Sequence, residues 1–128
     1  MSATLSRLAL RILSALFSLA VLIQFFIAGM AAVTNPEWWT YHSAWIGIFQ
    51  WLVVPLPILA FLGSRPRYWR TAFATIPVVQ VALQYVLAHR ALEGRLTIGI
   101  GLHAVNGALL LIIATFLATG CADRKMSA

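Results

Sequence analysis

The strongest constraint on this chain is that four long apolar segments occupy most of it, at about residues 8–33, 36–63, 70–90 and 97–119. A helix of about 20 apolar residues crosses the roughly 30 Å hydrocarbon core of a bilayer, so each segment is long enough to span a membrane. Only 9% of the residues are charged, against about 25% in soluble domains. The sequence therefore predicts an all-α integral membrane protein in which residues 1–128 form a single transmembrane domain.

The connections between the segments are short, and short connections make consecutive helices antiparallel neighbours in an up-down-up-down four-helix bundle. Cytoplasmic loops of membrane proteins carry an excess of lysine and arginine. One side of the predicted bundle has only Arg90 and Arg95, and the other has Arg7, Arg11, Arg65, Arg67, Arg70, Arg124 and Lys125. Both termini are therefore predicted to be cytoplasmic, in a multi-pass protein of the inner (plasma) membrane. The basic residues of the cytoplasmic side then explain the net charge of +6. The expected partner is the lipid bilayer, and no nucleic acid is expected.

Two histidines fall at the same predicted depth. Asn35 and Pro36 predict the start of the second helix and Thr97 that of the fourth, which places His42 and His103 about six residues, or about 9 Å, inside their helices. These two helices run in the same direction and occupy diagonal corners of a square bundle, roughly 11–14 Å apart. Such a separation suits a flat macrocycle held between two imidazoles. We therefore expect His42 and His103 to ligate the iron of one haem b.

The residues around these histidines extend the predicted site. Gly99 and Gly107 share one helical stripe with His103, and the missing side chains leave room for a porphyrin plane. Close packing between membrane helices explains the same two glycines without a cofactor. The other candidates are Gly29 in the first helix, Trp45 beside His42, Asn106 near His103, Arg90 and Arg95 as partners of haem propionates, and His89 as a lesser candidate for a metal ligand.

Three short motifs carry a resemblance to known families. Gln24 and Gly29 form Q-x4-G in the first segment, His42 opens the second, and His103 with Asn106 forms H-x2-N in the fourth. The chain thereby resembles small four-span bacterial membrane proteins that are grouped as a domain of unknown function. More distantly, it resembles membrane b-type cytochromes, in which histidines of a four-helix bundle ligate haem.

Two histidines on one iron leave no coordination position open for oxygen chemistry, so the predicted function is electron transfer or redox or haem sensing rather than enzymatic catalysis. A quinone or a redox protein is the partner that such a carrier implies, and a homo-oligomer is a further expectation. One alternative is a small transporter, although none of the three acidic residues lies in the core of a predicted span. Another is a ligand-free accessory or assembly subunit. The sequence shows no evident internal repeat.

Overall fold

The computed structural model describes residues 2–63 and 67–120, and within these residues the chain is helical. Helix α1 covers Ala3–Val33 and α2 covers Trp38–Phe49. A 3₁₀ turn at Gln50–Val53 follows, and then α3 covers Pro55–Gly63. The last two helices are α4 at Arg67–Leu92 and α5 at Gly99–Thr119.

Four stretches of helix are long and apolar enough to cross a membrane, and they are here called the first to fourth spans: Ala3–Val33, Trp38–Gly63, Tyr68–Leu92 and Gly99–Thr119. These stretches confirm the four predicted membrane segments. The predicted starts at Pro36 and Thr97 are each two residues early, because residues 36–37 and 97–98 form turns before α2 and α5. The Asn35 carboxamide oxygen accepts a hydrogen bond from the Glu37 amide at 2.9 Å within the first of these turns. Since both starts shift equally, His42 and His103 keep matched positions about 6 Å inside their helices.

Prolines interrupt the second span. Pro55 lacks an amide hydrogen and therefore cannot donate the hydrogen bond that would continue α2. The chain passes through the 3₁₀ turn instead, where the Val54 amide donates to the carbonyl of Trp51 at 3.3 Å. As a result α2 and α3 pack separately, and within the described residues α4 packs along α3 but not along α2.

The spans form a ring of contacts in chain order, in which α5 packs against both α1 and α4. The core lies at the centre of this ring and includes Phe17, Leu56, Ala74 and Ala114, all of which are fully buried. Large apolar side chains point outward on every span, among them Leu19, Ile48, Val79 and Ile112. An outer surface of this kind is favourable only against lipid, which makes the chain a multi-pass membrane protein.

The basic residues near the N-terminus lie against the ends of two other helices. A Cβ atom at Gly63, the last residue of α3, would lie 3.0 Å from Cγ of Arg7, and one at Gly120 would contact the guanidinium of Arg11. The start of α1 and the ends of α3 and α5 therefore lie together at one end of the bundle. Arg65, Arg124 and Lys125, which the sequence predicts at this end, lie outside the described residues.

Candidate functional site

A cavity of about 320 Å³ lies in the half of the bundle away from Arg7 and Arg11. All four spans contribute to its wall, which is apolar apart from a few polar side chains. Cavities of about 300–1,000 Å³ with this character are the usual sites for small molecules and cofactors. Of the predicted site residues, His42, His89, His103 and Gly107 line the cavity.

The imidazoles of His42 and His103 face each other in this cavity. Their ring centroids are 6.4 Å apart and their planes are inclined by 49°. Both rings are half-buried, and Trp39 lies edge-on to His42 at a centroid distance of 5.3 Å. The second and fourth spans thus bring two nitrogen donors together from opposite corners of the bundle.

A backbone contact fixes the orientation of the His103 ring. Nδ1 of His103 lies 3.1 Å from the carbonyl oxygen of Gln84 on α4. Since a carbonyl can only accept, Nδ1 carries the hydrogen and the lone pair of the neutral ring resides on Nε2. Metal-ligating histidines commonly bind through one ring nitrogen and donate from the other to a backbone carbonyl. His103 therefore has the tautomer and the support that a metal ligand requires.

Three buried polar atoms in the cavity wall lack a hydrogen-bond partner among the described residues: Oε1 of Gln24, Nδ1 of His42 and Oε1 of Gln84. An unsatisfied buried polar group costs about 1–3 kcal/mol, and natural folds retain few of them. Their concentration in one cavity indicates a place for a ligand or for bound water.

Trp45 and Asn106 lie outside the cavity wall and fix the helix pairs that carry the histidines. Trp45 Nε1 donates to the carbonyl of Ala20 on α1, and Asn106 Nδ2 donates to that of Gln80 on α4, both at 2.9 Å. Gln24 adds a second bond between α1 and α2, because its Nε2 donates to the His42 carbonyl at 3.0 Å. The structure thus gives Trp45 and Asn106 positions between helices rather than beside the predicted ligand.

We expect Asn106→Leu and Trp45→Phe each to lower the free energy of unfolding by about 0.6–1.7 kcal/mol, the range measured for hydrogen bonds between membrane helices. Thermal unfolding in detergent measures the change. Val105→Ala is the matched control, since Val105 is exposed on the outer surface of α5. Equal melting temperatures for Asn106→Leu and this control would contradict a role for Asn106 in joining α4 to α5.

The three predicted glycines occupy different surroundings. A Cβ atom at Gly99 would lie 2.8 Å from Cβ of Ala91 and 2.9 Å from the carbonyl oxygen of Leu87, so Gly99 allows α5 to approach α4. Gly107 lies in the cavity wall, where a Cβ atom would lie 3.1 Å from Nε2 of Gln84. Gly29 is exposed and has open space around it. Only Gly107 therefore lies at the predicted cofactor site.

The carboxylate of Glu93 contacts the three basic side chains that precede α5. Oε1 of Glu93 lies 2.8 Å from Nε2 of His89, and Oε2 lies 3.7 Å from Arg90 and 3.4 Å from Arg95. Arg90 and Arg95 thus contact Glu93, and neither lines the cavity. The site residues predicted from the sequence include neither Glu93 nor Gln84, although an amide side chain inside a membrane segment is itself a signal of function.

The fold and the cavity define a small multi-pass helical membrane protein with a two-histidine site between its spans. Residues 24–92, a little over half of the chain, match DUF6220, a family of unknown function, and the protein belongs to that family. The matched segment includes Gln24, His42 and Gln84 and ends before His103. No curated protein and no solved structure matches the sequence, and no similarity to a cytochrome is found.

Proposed function

We propose that the protein binds one haem b between His42 and His103 and serves in electron transfer or in redox or haem sensing. The observation that carries this proposal is the separation of the two rings. Metal–imidazole bonds are about 2.0–2.1 Å long, and the centre of an imidazole lies roughly 1 Å beyond its ligating nitrogen, so two imidazoles on opposite sides of one ion have centroids about 6 Å apart. The observed distance is 6.4 Å.

The set of donors favours a macrocycle over a bare metal ion. The described residues contain no group of three or more histidine, cysteine, aspartate or glutamate side chains that could hold an ion. Protein sites for zinc use three or four such ligands. Two imidazoles suffice when the remaining ligands belong to the bound molecule, as the four nitrogens of a porphyrin do.

The residues present fit a low-spin haem. His42 and His103 would hold the iron from its two faces, and apolar residues such as Val21, Ile46 and Leu110 would contact the ring. Haem would supply one-electron chemistry at this position. With His42 and His103 both bound to the iron, oxygen would have no access to it, and a quinone or a redox protein is the partner we propose.

The test is the absorption spectrum of the protein purified in detergent after expression with ample haem. We expect a sharp Soret band, split α and β bands on reduction, and one haem b per chain in the pyridine haemochrome assay. A protein that is folded by circular dichroism but shows no Soret band would refute the proposal.

The proposal includes an up-down-up-down arrangement in the inner (plasma) membrane with both termini cytoplasmic. It is supported by the position of Arg7 and Arg11 at the end of the bundle where α3 and α5 also finish, because cytoplasmic ends carry the excess of basic residues. We expect a reporter fused after residue 128 to behave as cytoplasmic, and the same reporter inserted at Gly94 to behave as extracytoplasmic. The reverse result would invert the orientation.

A further inference from the structure

The first and third spans share a sequence pattern, whose matching residues lie 60 positions apart along the chain. Residues 21–31 read V-L-I-Q-F-F-I-A-G-M-A, and residues 81–91 read V-A-L-Q-Y-V-L-A-H-R-A. A shift of 60 residues aligns Val21 with Val81, Gln24 with Gln84, and two alanines in each segment. A shift of 61 residues then aligns His42 with His103. These two alignments run against the expectation of no internal repeat.

Burial follows the same two shifts. In α1 and α4 the residues aligned by the shift of 60 and buried in both helices are Ser14 with Ala74, Phe17 with Pro77, Ala20 with Gln80, Val21 with Val81, and Ile27 with Leu87. In the second and fourth spans the shift of 61 aligns the buried residues Phe49 with Leu110, Val53 with Ala114, and Leu56 with Leu117. Two helix pairs thus present the same faces to the core.

The hydrogen bonds between helices repeat as well. The residue three after each histidine donates to the carbonyl four before each glutamine: Trp45 to Ala20 and Asn106 to Gln80, both at 2.9 Å. Each glutamine also contacts its own histidine, because Gln24 Nε2 donates to the His42 carbonyl at 3.0 Å and His103 Nδ1 donates to the Gln84 carbonyl at 3.1 Å. The second bond differs between the two pairs, because the first joins the glutamine side chain to the histidine backbone and the second joins the histidine side chain to the glutamine backbone.

The wall of the cavity shows the same correspondence. Every residue that the first and second spans contribute has its aligned partner in the wall as well. The pairs are Val21 with Val81, Gln24 with Gln84, Phe25 with Tyr85, His42 with His103, Ser43 with Ala104, Ile46 with Gly107, and Phe49 with Leu110. The cavity therefore lies on the axis that relates the two helix pairs.

We infer that the chain consists of two copies of one helix hairpin, residues 2–63 and 67–120, and that Gln24 and Gln84 are equivalent residues, each presenting an amide side chain to the ligand beside the histidine of its own hairpin. Each copy contains two spans and so returns to the side where it began, which places the pseudo-twofold axis along the membrane normal. The assignment of a ligand to this axis rests on the proposed function. A ligand on the axis would meet one imidazole and one glutamine from each hairpin, and the proposed haem fits such a paired arrangement.

The two hairpins differ at three aligned positions near the cavity, and these differences favour one orientation of the ligand. Gly107 stands where the first hairpin has Ile46, Tyr85 where it has Phe25, and His89 where it has Gly29. The Tyr85 hydroxyl donates to Oε1 of Gln50 at 2.9 Å and so lies toward the second span. The second hairpin is thus the more polar and roomier one. The polar edge of the ligand is therefore expected to face Tyr85 and His89 rather than Phe25.

The first test exchanges the order of the hairpins within the full chain, so that residues 64–128 precede residues 1–63. Gly120 lies beside Arg11, so the new junction is short, and residues 121–128 supply about 26 Å of chain to close it. We expect the exchanged protein to insert, to melt within a few degrees of the original and to show the same haem spectrum. If the original chain binds haem and the exchanged chain inserts without binding it, the inference is overturned. If both chains fold and neither binds haem, the duplication is supported and the proposed function fails.

The second test compares Gln24→Leu with Gln84→Leu. Both substitutions remove an amide side chain of the cavity wall whose Oε1 has no partner among the described residues, while the Gln84 backbone carbonyl that accepts from His103 is kept. Groups that surround a metal ligand change metal affinity about 10- to 100-fold, so we expect both variants to release haem about 10- to 100-fold more readily and to shift its midpoint potential in the same direction. Ile23→Ala and Leu83→Ala are the matched controls, since these aligned neighbours are exposed and should change melting alone. An effect of one glutamine without the other, or equal effects in the controls, overturns the assignment.

Discussion

Replacing His42 or His103 by alanine should abolish the low-spin haem spectrum, and this is the largest effect expected of any single substitution. In the proposed site each imidazole would supply one nitrogen to the iron, so loss of either one would leave a high-spin iron or a protein without haem. The absorption spectrum of the reduced protein measures the result, through the loss of its sharp α band.

His89→Ala is the control for both substitutions. His89 lines the same cavity but pairs with Glu93, and its side chain is 74% exposed. We expect most of the low-spin spectrum to remain in this variant. If His42→Ala kept the low-spin spectrum and His89→Ala lost it, the ligand of the iron would be His89 and not His42.

The two glycines on the stripe with His103 should respond in opposite ways to a larger side chain. At Gly99 the nearest atoms include the Leu87 carbonyl, which belongs to the backbone of α4. Gly99→Leu must therefore push α5 away from α4, and overpacking of this kind costs about 1–3 kcal/mol or more. At Gly107 the nearest atoms are the ends of the Gln84 and Phe25 side chains, which can rotate. We expect Gly107→Leu to fill the cavity and exclude haem while the bundle remains folded.

Absorbance and thermal unfolding recorded on the same samples separate the two effects. Gly99→Leu should lower the melting temperature while the protein that remains folded keeps its spectrum, and Gly107→Leu should do the reverse. Gly101→Leu is a suitable control, because a Cβ atom at Gly101 would meet open space. A normal spectrum in Gly107→Leu would show that this glycine serves packing, as Gly99 does.

The sequence predicts the four spans closely because their apolar runs and short connections leave little freedom. It also predicts the matched positions of His42 and His103, since the turns before α2 and α5 shift both helix starts equally. The sequence does not predict which atoms of the neighbouring helices lie against a glycine. Gly99 and Gly107 have the same spacing from His103, yet one lies against the α4 backbone and the other against flexible side chains.

The repeat escapes notice in the sequence because most aligned residues differ while their surroundings agree. Trp45 and Asn106 share no chemistry except an N–H group, and both donate to a carbonyl of the preceding span. Phe17 aligns with Pro77, and both are buried. A membrane helix can exchange one apolar residue for another of similar volume at small cost. The two hairpins therefore keep the same buried helix faces although their sequences differ.

The length of α1 sets the depth of the cavity in the bilayer. With 31 residues this helix is about 46 Å long, whereas the hydrocarbon core is about 30 Å thick. Arg11 lies beside Gly120 at the end of α5, and Arg7 lies beside Gly63 at the end of α3, so the first turns of α1 and these two helix ends lie together in the headgroup layer. Gln24 then lies about 20 Å beyond Arg11 along the helix, and so about 10 Å from the opposite membrane surface. With the proposed orientation, the proposed haem would lie about twice as close to the extracytoplasmic surface as to the cytoplasmic one, and it would exchange electrons with partners on the outer side.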